Sequence, residues 1–465
     1  SDEFPPEVEA EAAEAIHSGP SLPATVDLRD VPFLTIDPPG SMDLDQALAL
    51  ERDGSGYVFR YAIADVAAFV APGGAIDAEA RRRVVTVYLP DRNAPLHPRP
   101  LSEGAASLLP EVDRQAVVWT IRLDEAAEPV DARVERARVR SRRRLTYAEA
   151  QSLVDGGTDE ALTLLREIGE RRQASEIARG GVSLPIPDQQ VVREADGRYR
   201  LEFRAPLPAE GWNAQLSLLA GMAAAELMLA GGVGVLRTLP PPSDDTVRTF
   251  RRRAAPLGVT WPDGASYGDL IRSLDADVAA HAALLTQAAR LFRGAGYVGF
   301  DGTPPAGDAG HHAAVAAPYA HVTAPLRRLV DRFGNEIVLA QCAGTEPPSW
   351  AREALDELPA LMDEGRRREG AANGMALDLV EAAVLASCEG EELLGVVTGT
   401  SKGRANVQIV EPAVLASVDD PDGALVPGQE VGLRVAGADV VARRIDLEVA
   451  VPPAPSPTRA VTGRP

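Results

Sequence analysis

The order of patterned segments predicts an α+β chain that ends in a small β-barrel. Three observations carry this expectation. Short alternating strands dominate up to about Val139, helix-length apolar patterns dominate from Thr146 to Cys388, and short alternating strands return from Glu392. At 465 residues, 45% hydrophobic and 25% charged, the chain has the length for a large core and more than one domain, and the composition of an ordinary globular protein.

Taken in order, residues 1–28 are an acidic lead-in, where Asp2, Glu3, Glu7, Glu9, Glu11 and Glu14 precede any Lys or Arg; a solvated arm or exposed helix is expected. Residues 31–36 form an apolar run of strand type, and Pro38-Pro39-Gly40 must turn it. Residues 43–50 and 57–66 read as the next strands, joined by a hairpin turn at Asp53-Gly54. A helix at 76–83 follows the Pro72-Gly73-Gly74 break, then a strand-like segment from Val84 to Leu89 and a Pro-rich passage to Leu108. Strands are expected at 115–123 and 132–139, and helices at 146–154, 160–179, 212–229, 267–274, 278–292, 326–340 and 350–388. Gly221, Ala223, Ala224 and Ala225 suit the 212–229 helix to close packing. Strands at 393–398, 405–410, 429–436 and 443–449, separated by turn residues, read as a small barrel of OB type. The Pro-rich tail, 452–465, is expected to be disordered.

The most chemically suggestive stretch lies between the first two strands, where Asp37, Asp43 and Asp45 fall within nine residues. If 43–50 is extended, its period of two places Asp43 and Asp45 on one face, with Leu44, Gln46, Leu48 and Leu50 on the other, and Asp37 faces the pair across a tight loop. Packed like charges raise one another's pKa, so a cation is the natural means of keeping all three ionised. Hard oxygen donors favour Mg²⁺ or Mn²⁺ over Zn²⁺. The alternative is a set of solvated turn acids.

Composition limits the remaining options. Two cysteines, Cys342 and Cys388, give no disulfide framework or thiolate metal site and fit a cytoplasmic location. The sequence shows neither an apolar run of about eighteen residues nor a secretory signal, so neither a membrane span nor export by that route is expected. A net charge of −21 argues against a protein that coats nucleic acid over its whole surface. Any nucleic acid must meet local basic patches, at Arg81-Arg82-Arg83, within 133–144, at Arg251-Arg252-Arg253 or at Arg327-Arg328. Adjacent His311 and His312 cannot both point the same way from a regular element, and neither they nor His321 has a ligand-spaced partner. Organic-cofactor motifs and a Ser/His/Asp elbow are also missing from the sequence.

Three separated motifs then coincide. Thr35-Ile36-Asp37 with Asp43 and Asp45, Ile63-Ala64-Asp65-Val66 followed by Tyr88-Leu89-Pro90-Asp91, and the run from Tyr319-Ala320-His321 through Arg327-Arg328 resemble the signatures of the ribonuclease II (RNB) exoribonuclease family. The resemblance implies an RNB-type catalytic domain at 29–388, with a mixed or antiparallel sheet and packed helices, and an OB-like RNA-binding barrel at 389–451. It further implies Mg²⁺-dependent 3′ to 5′ hydrolysis of single-stranded RNA to 5′-mononucleotides. Carried onto this chain, the metal ligands fall on Asp37, Asp43, Asp45 and Gln46, and the catalytic roles on Asp45, Asp43 and Arg327. Tyr88, Tyr147 and Arg328 take the contacts to RNA, although Tyr147 also suits a core position and Arg327 a surface ion pair.

The chain departs from the family pattern at several points. Gln46 stands where a fourth acid is usual, Ala324 and Leu329 replace a hydroxyl and an aromatic residue, and no cold-shock-like domain is expected in the residues before Val31. The barrel stretch carries no Phe, Tyr or Trp between Gly390 and Val451. A catalytically silent RNA-binding protein of the same fold is therefore the rival expectation.

Overall fold

In the computed structural model, the described residues are 2–184, 188–194, 199–275 and 278–451. Packing divides the chain into two compact units. The first comprises Ser1–Ser183, Pro206–Pro241 and Phe292–Asn373, and the second Leu184–Ala205, Pro242–Leu291 and Gly374–Pro465. The sequence places boundaries at 28, 388 and 451; by packing, 184–205, 242–291 and 374–388 group with the second unit.

The first unit is built on one sheet: β1 (Val26–Asp27), β2 (Phe33–Asp37), β3 (Gln46–Asp53), β4 (Gly56–Ala64), β5 (Asp113–Leu123) and β6 (Pro129–Thr146), in the order β1-β6-β2-β3-β4-β5. The long β6 pairs antiparallel with β5 along its first part and parallel with β2 along its last, so the ladder runs in a circuit. Alternation along β4 explains what covers each side. Its large residues Tyr57, Phe59, Tyr61 and Ile63 join Leu48 and Trp119 in one apolar layer, while Ala62 and Ala64 join Ala47, Ala49, Ala116 and Ala137 in a second.

Helices α1 (Tyr147–Gly156), α2 (Glu160–Ala178), α3 (Pro208–Gly231) and α4 (Leu329–Cys342) contribute to the large-residue layer. Among the described residues α3 is the one helix long and apolar enough to cross a membrane, and Trp212, Leu216, Leu219 and Met228 bury it in this core. Gly221 on α3 matters for the site. A Cβ there would sit 2.1 Å from the Tyr319 ring, and its carbonyl accepts from Ala320 N at 3.0 Å, so a bare backbone is what lets the segment before Arg327 approach.

Several elements differ from expectation. The acidic lead-in forms a helix at Pro6–Ser18 whose Val8 and Ala12 are buried, with Phe4 and Ile16 packed beside them, so an apolar stripe at helical spacing docks an otherwise acidic segment. The strand expected at 43–50 begins only at Gln46. The one expected over Val84 to Leu89 shrinks to Val87–Tyr88, paired with Asn93–Ala94.

In the second unit β7 (Glu392–Ser401), β8 (Arg404–Ile409), β9 (Val414–Asp419), β10 (Glu430–Asp439) and β11 (Arg444–Val451) form an antiparallel sheet in the order β9-β8-β7-β10-β11. Its edge strands β9 and β11 touch, which nearly closes an OB-like barrel around Val397, Val407, Ile409, Val431 and Leu433. The sequence reading found four of these strands. β9 follows directly on Pro412, where a break is the stronger local signal. The tail expected to be disordered, 452–465, lies outside the described residues.

Candidate active site

Asp37 ends β2, and the chain then loops through 38–45 before β3 begins. The loop is pinned at Leu44. Its N–H donates to Ser107 Oγ at 3.0 Å, its carbonyl accepts from Leu108 N at 3.0 Å, and the Ser107 hydroxyl donates to Met42 O at 2.6 Å. Leu44 thereby sinks into the small-residue layer, whereas Leu48 and Leu50 belong to the other. The alternation expected over 43–50 therefore breaks at 44–45, because the loop serves Ser107 and not a neighbouring strand.

Asp45 is 5% exposed. Its Oδ1 accepts from Leu326 N at 2.7 Å, and its Oδ2 lies 3.4 Å from Arg327 Nε. Residues 281 and 282 positions apart are thus brought together. The arginine loop is held from three sides. Asp331, fully buried on the first turn of α4, accepts from Ala324 N at 2.7 Å and from Arg328 Nε and Nη2, both at 2.8 Å. Thr86 N donates to Arg327 O at 3.0 Å, and Leu329 N to Val84 O at 2.9 Å. Thr323 meets Ser217 Oγ at 3.0 Å through its hydroxyl.

Gln46 provides a further support. Its Nε2 donates to Thr323 O at 2.8 Å, and its Oε1 accepts the Tyr61 hydroxyl. Both ends of the amide are engaged within protein, which ties β3 to the arginine loop.

Electrostatics mark the acids as strained. Burial pushes Asp45 up to about 8, against the opposing pull of Arg327 and the Leu326 N–H. Burial likewise raises Asp37 to about 6, with the Asp43 charge adding to it and Arg327 and Arg144 opposing. Asp37 Oδ2 is buried without a hydrogen-bond partner. Asp43 accepts the Tyr88 hydroxyl, and burial followed by that carboxylate drives the phenol pKa well up. Tyr147 is half-buried at the start of α1, accepts from Asn213 Nδ2 at 3.3 Å, and has its pKa raised by burial, with Asp37 contributing.

Arg328 is mostly buried against Asp331, so its charge is committed to holding the loop, although it also lines the adjacent cavity. That cavity, of about 260 Å³, brings Arg237, Arg327, Arg328 and Arg366 around one carboxylate, Glu369, with Tyr88 at its wall. His321 is a packing and hydrogen-bonding group there: its Nδ1 lies 2.7 Å from the Tyr297 hydroxyl, and burial holds its pKa well below the usual value.

Among the described residues no three Asp, Glu, His or Cys side chains converge into a ready cage for one ion. Magnesium commonly takes one or two carboxylates and completes its shell with water and substrate phosphate. An orphaned buried oxygen on Asp37 and a buried carboxylate at Asp45 fit that mode of binding, with Asp43 beside them.

The sequence reading missed Asp331 and Ser107. Asp331 had a signal in the i, i+3 spacing from Arg328 at a helix start; Ser107 had none, since its role depends on a contact 63 residues away.

Comparison with known proteins decides the family. The RNB domain matches residues 25–340, about two-thirds of the chain. The chain belongs to the RNB-domain family. An RNase II-type exonuclease C-terminal S1 domain matches residues 391–450, the OB-like barrel. Ribonuclease R of Escherichia coli is 30% identical over 323 residues, covering 66% of this RNB chain and 39% of that protein. The chain therefore spans well under half the length of this relative. Mycoplasma genitalium RNase R, solved in complex with ribose-methylated single-stranded RNA, superposes with a TM-score of 0.83 at 18% identity over 96% of this chain and 75% of that one. Yeast Ssd1, a pseudonuclease, superposes with a TM-score of 0.70 at 17% identity over 87% of this chain and 52% of that one. Both likenesses are of fold.

Proposed function

We propose that the chain is a 3′ to 5′ exoribonuclease that uses Mg²⁺ or Mn²⁺ to hydrolyse single-stranded RNA to 5′-mononucleotides. The observation that carries this reading is the meeting of Asp45 with Leu326 and Arg327 in a buried setting beside an electropositive cavity. In the reaction water attacks the phosphorus of the last linkage, the bond from phosphorus to the 3′-oxygen of the preceding ribose breaks, and the terminal nucleotide leaves with its 5′-phosphate.

Asp37 and Asp45, with Asp43, supply the oxygens that would hold a divalent cation. When bound, the cation lowers the pKa of attacking water and offsets charge on the phosphoryl oxygens. The Leu326 N–H fixes the orientation of the Asp45 carboxylate. Arg327, half-exposed and facing the cavity, is placed to donate its fork to those oxygens as negative charge grows, an interaction stronger in the transition state than in the ground state. Tyr88, tied by its hydroxyl to Asp43, offers its ring to a base; Tyr147, within the field of Asp37, is placed for the terminal nucleotide. We assign Gln46 to support of the arginine loop. The relatives named ribonuclease R support the activity, and the Mycoplasma genitalium complex supports single-stranded RNA as the substrate class.

A second reading has one observation in its favour. Gln46 brings no charge and its amide is occupied, so the acid cluster is one carboxylate short of the family pattern. An RNA-binding chain without catalysis, like the pseudonuclease in fold, would share the rest of the geometry. Incubating 5′-labelled single-stranded RNA with the protein in Mg²⁺, in Mn²⁺ and in EDTA separates the two. Progressive shortening from the 3′ end in either metal, abolished by EDTA, is expected; bound but intact RNA in both metals refutes the hydrolase.

A further inference from the structure

The outer side of the acidic loop carries a second feature. Residues 141–146 of β6 run parallel to β2, and the register shifts between Phe33 and Leu34, so that Ser141 and Arg143 are paired while Arg142 is skipped. A bulge of this kind breaks the alternation of side chains. Arg142, Arg143 and Arg144 consequently all line one groove instead of dividing between two faces. The open groove offers about 740 Å³, and its apolar lining comes from Met42, Leu109, Pro110, Val112 and Leu145.

Two of its three arginines carry no ion pair among the described residues. Arg143 pairs with Asp159 at 2.6 Å. Arg142 donates to Arg29 O at 2.7 Å and Arg144 to Ser41 O at 2.9 Å, and neither has an ion-paired carboxylate among the described residues. Met42 and Val112 remain 41% and 38% exposed, so the apolar lining is open to a ligand. On a chain of net charge −21, two guanidiniums hydrogen-bonded only to neutral groups and a third paired with Asp159, over exposed apolar side chains, form a local exception.

The groove is also continuous with the site. Arg144 stands opposite Thr35 and Thr146 opposite Asp37, two residues or roughly 7 Å further along the strand. Met42 belongs to the loop that joins Asp37 to Asp45, and Arg144 is close enough to Asp37 to oppose the rise in its pKa.

We infer that this groove is an accessory binding site for single-stranded RNA, holding one or two phosphates of the strand 5′ to the segment engaged at the acidic loop. The inference rests on the exoribonuclease reading for the direction of the strand. Guanidiniums take the phosphates, and the apolar lining takes the faces of sugars or bases without reading sequence. Because the site lies beside the acids and not among them, it acts on long strands only.

The test uses the full chain and 5′-fluorescein oligouridylates of about 20 and about 4 nucleotides, the first longer than a typical single-strand site and the second at its lower limit. Affinity is read by anisotropy in EDTA over a salt series, and trimming by gel in Mg²⁺. Arg142→Glu with Arg143→Glu should weaken long-strand binding about tenfold and reduce the slope of log affinity against log salt by about one to two. Trimming of the short strand should be unchanged in kcat and KM. The milder Arg142→Gln with Arg143→Gln should fall between, which guards against misfolding of the charge-reversed protein. Unchanged long-strand affinity in both variants refutes the groove as an RNA site, including in favour of a protein ligand, and leaves the hydrolase standing if trimming persists. Equal loss on both strand lengths refutes its accessory character. Loss confined to the long strand in a chain that trims no RNA supports the groove while refuting the hydrolase.

Discussion

Asp45→Asn should stabilise the metal-free protein near pH 8 while abolishing hydrolysis. The native carboxyl has its pKa raised from the ordinary 3.8 to about 8, mainly by burial. A folded-state pKa above the unfolded one means that the native state binds the proton more tightly. The stabilising contribution is then full below 3.8 and is lost as pH rises through about 8. At about 1.4 kcal/mol per pH unit, that interval is worth at most roughly 5 to 6 kcal/mol; structural relaxation reduces it, and about 2 kcal/mol or more should remain. Asparagine keeps an oxygen for the Leu326 N–H and removes the charge, while the half-exposed Arg327 loses little by losing its partner. Asp37, raised to about 6, titrates in both proteins and cancels in their difference. Thermal melts at pH 5, 6, 7 and 8 in EDTA should show the wild type losing stability relative to the variant as pH rises. Mg²⁺ should restore the wild type and leave the variant nearly unmoved. Parallel pH profiles in EDTA would refute the strained-carboxylate argument, and an equal Mg²⁺ response would remove Asp45 from the metal shell.

Arg327→Ala should reduce single-turnover kcat by about 10² to 10³, or roughly 3 to 4 kcal/mol, with RNA affinity changed only a few-fold; a loss confined to affinity would make Arg327 a binding residue. Gln46→Ala should cost about 2 kcal/mol in urea melts, because the Tyr61 hydroxyl and the Thr323 carbonyl lose their partner. The Mg²⁺ concentration at the midpoint of thermal stabilisation should stay put, and a clear shift would show that Gln46 touches the ion. Tyr88→Phe should retain RNA affinity, whereas Tyr88→Ala should lose about 1 to 3 kcal/mol of it in anisotropy titrations; equal losses would mean that the hydroxyl bond to Asp43, and not the ring, matters.

What could be read from the sequence follows from the range of the interactions involved. Helices 160–179 and 212–229 and the barrel strands were legible because burial imposes a period on consecutive residues, and the structure places Glu160–Ala178 and Pro208–Gly231 close to those bounds. The helix at Pro6–Ser18 was misjudged on charge, although its Phe4, Val8, Ala12 and Ile16 stripe carried the signal at a spacing of four. The acidic loop was legible as chemistry but not as conformation. Its backbone answers to Ser107, its Asp45 to Leu326, and its Gln46 to Thr323, partners 63 to 281 residues away that no local pattern encodes. Gln46 shows the consequence. By position it stands next to Asp43 and Asp45, and an extended 43–50 would place it on the opposite face from them. The alternation is lost in the loop at 44–45 and holds only from Gln46 onward, where the amide turns toward Tyr61 on the side of Leu48 and Leu50. Within β3 the period of two is set by backbone geometry and does not depend on whether position 46 carries a carboxylate or an amide.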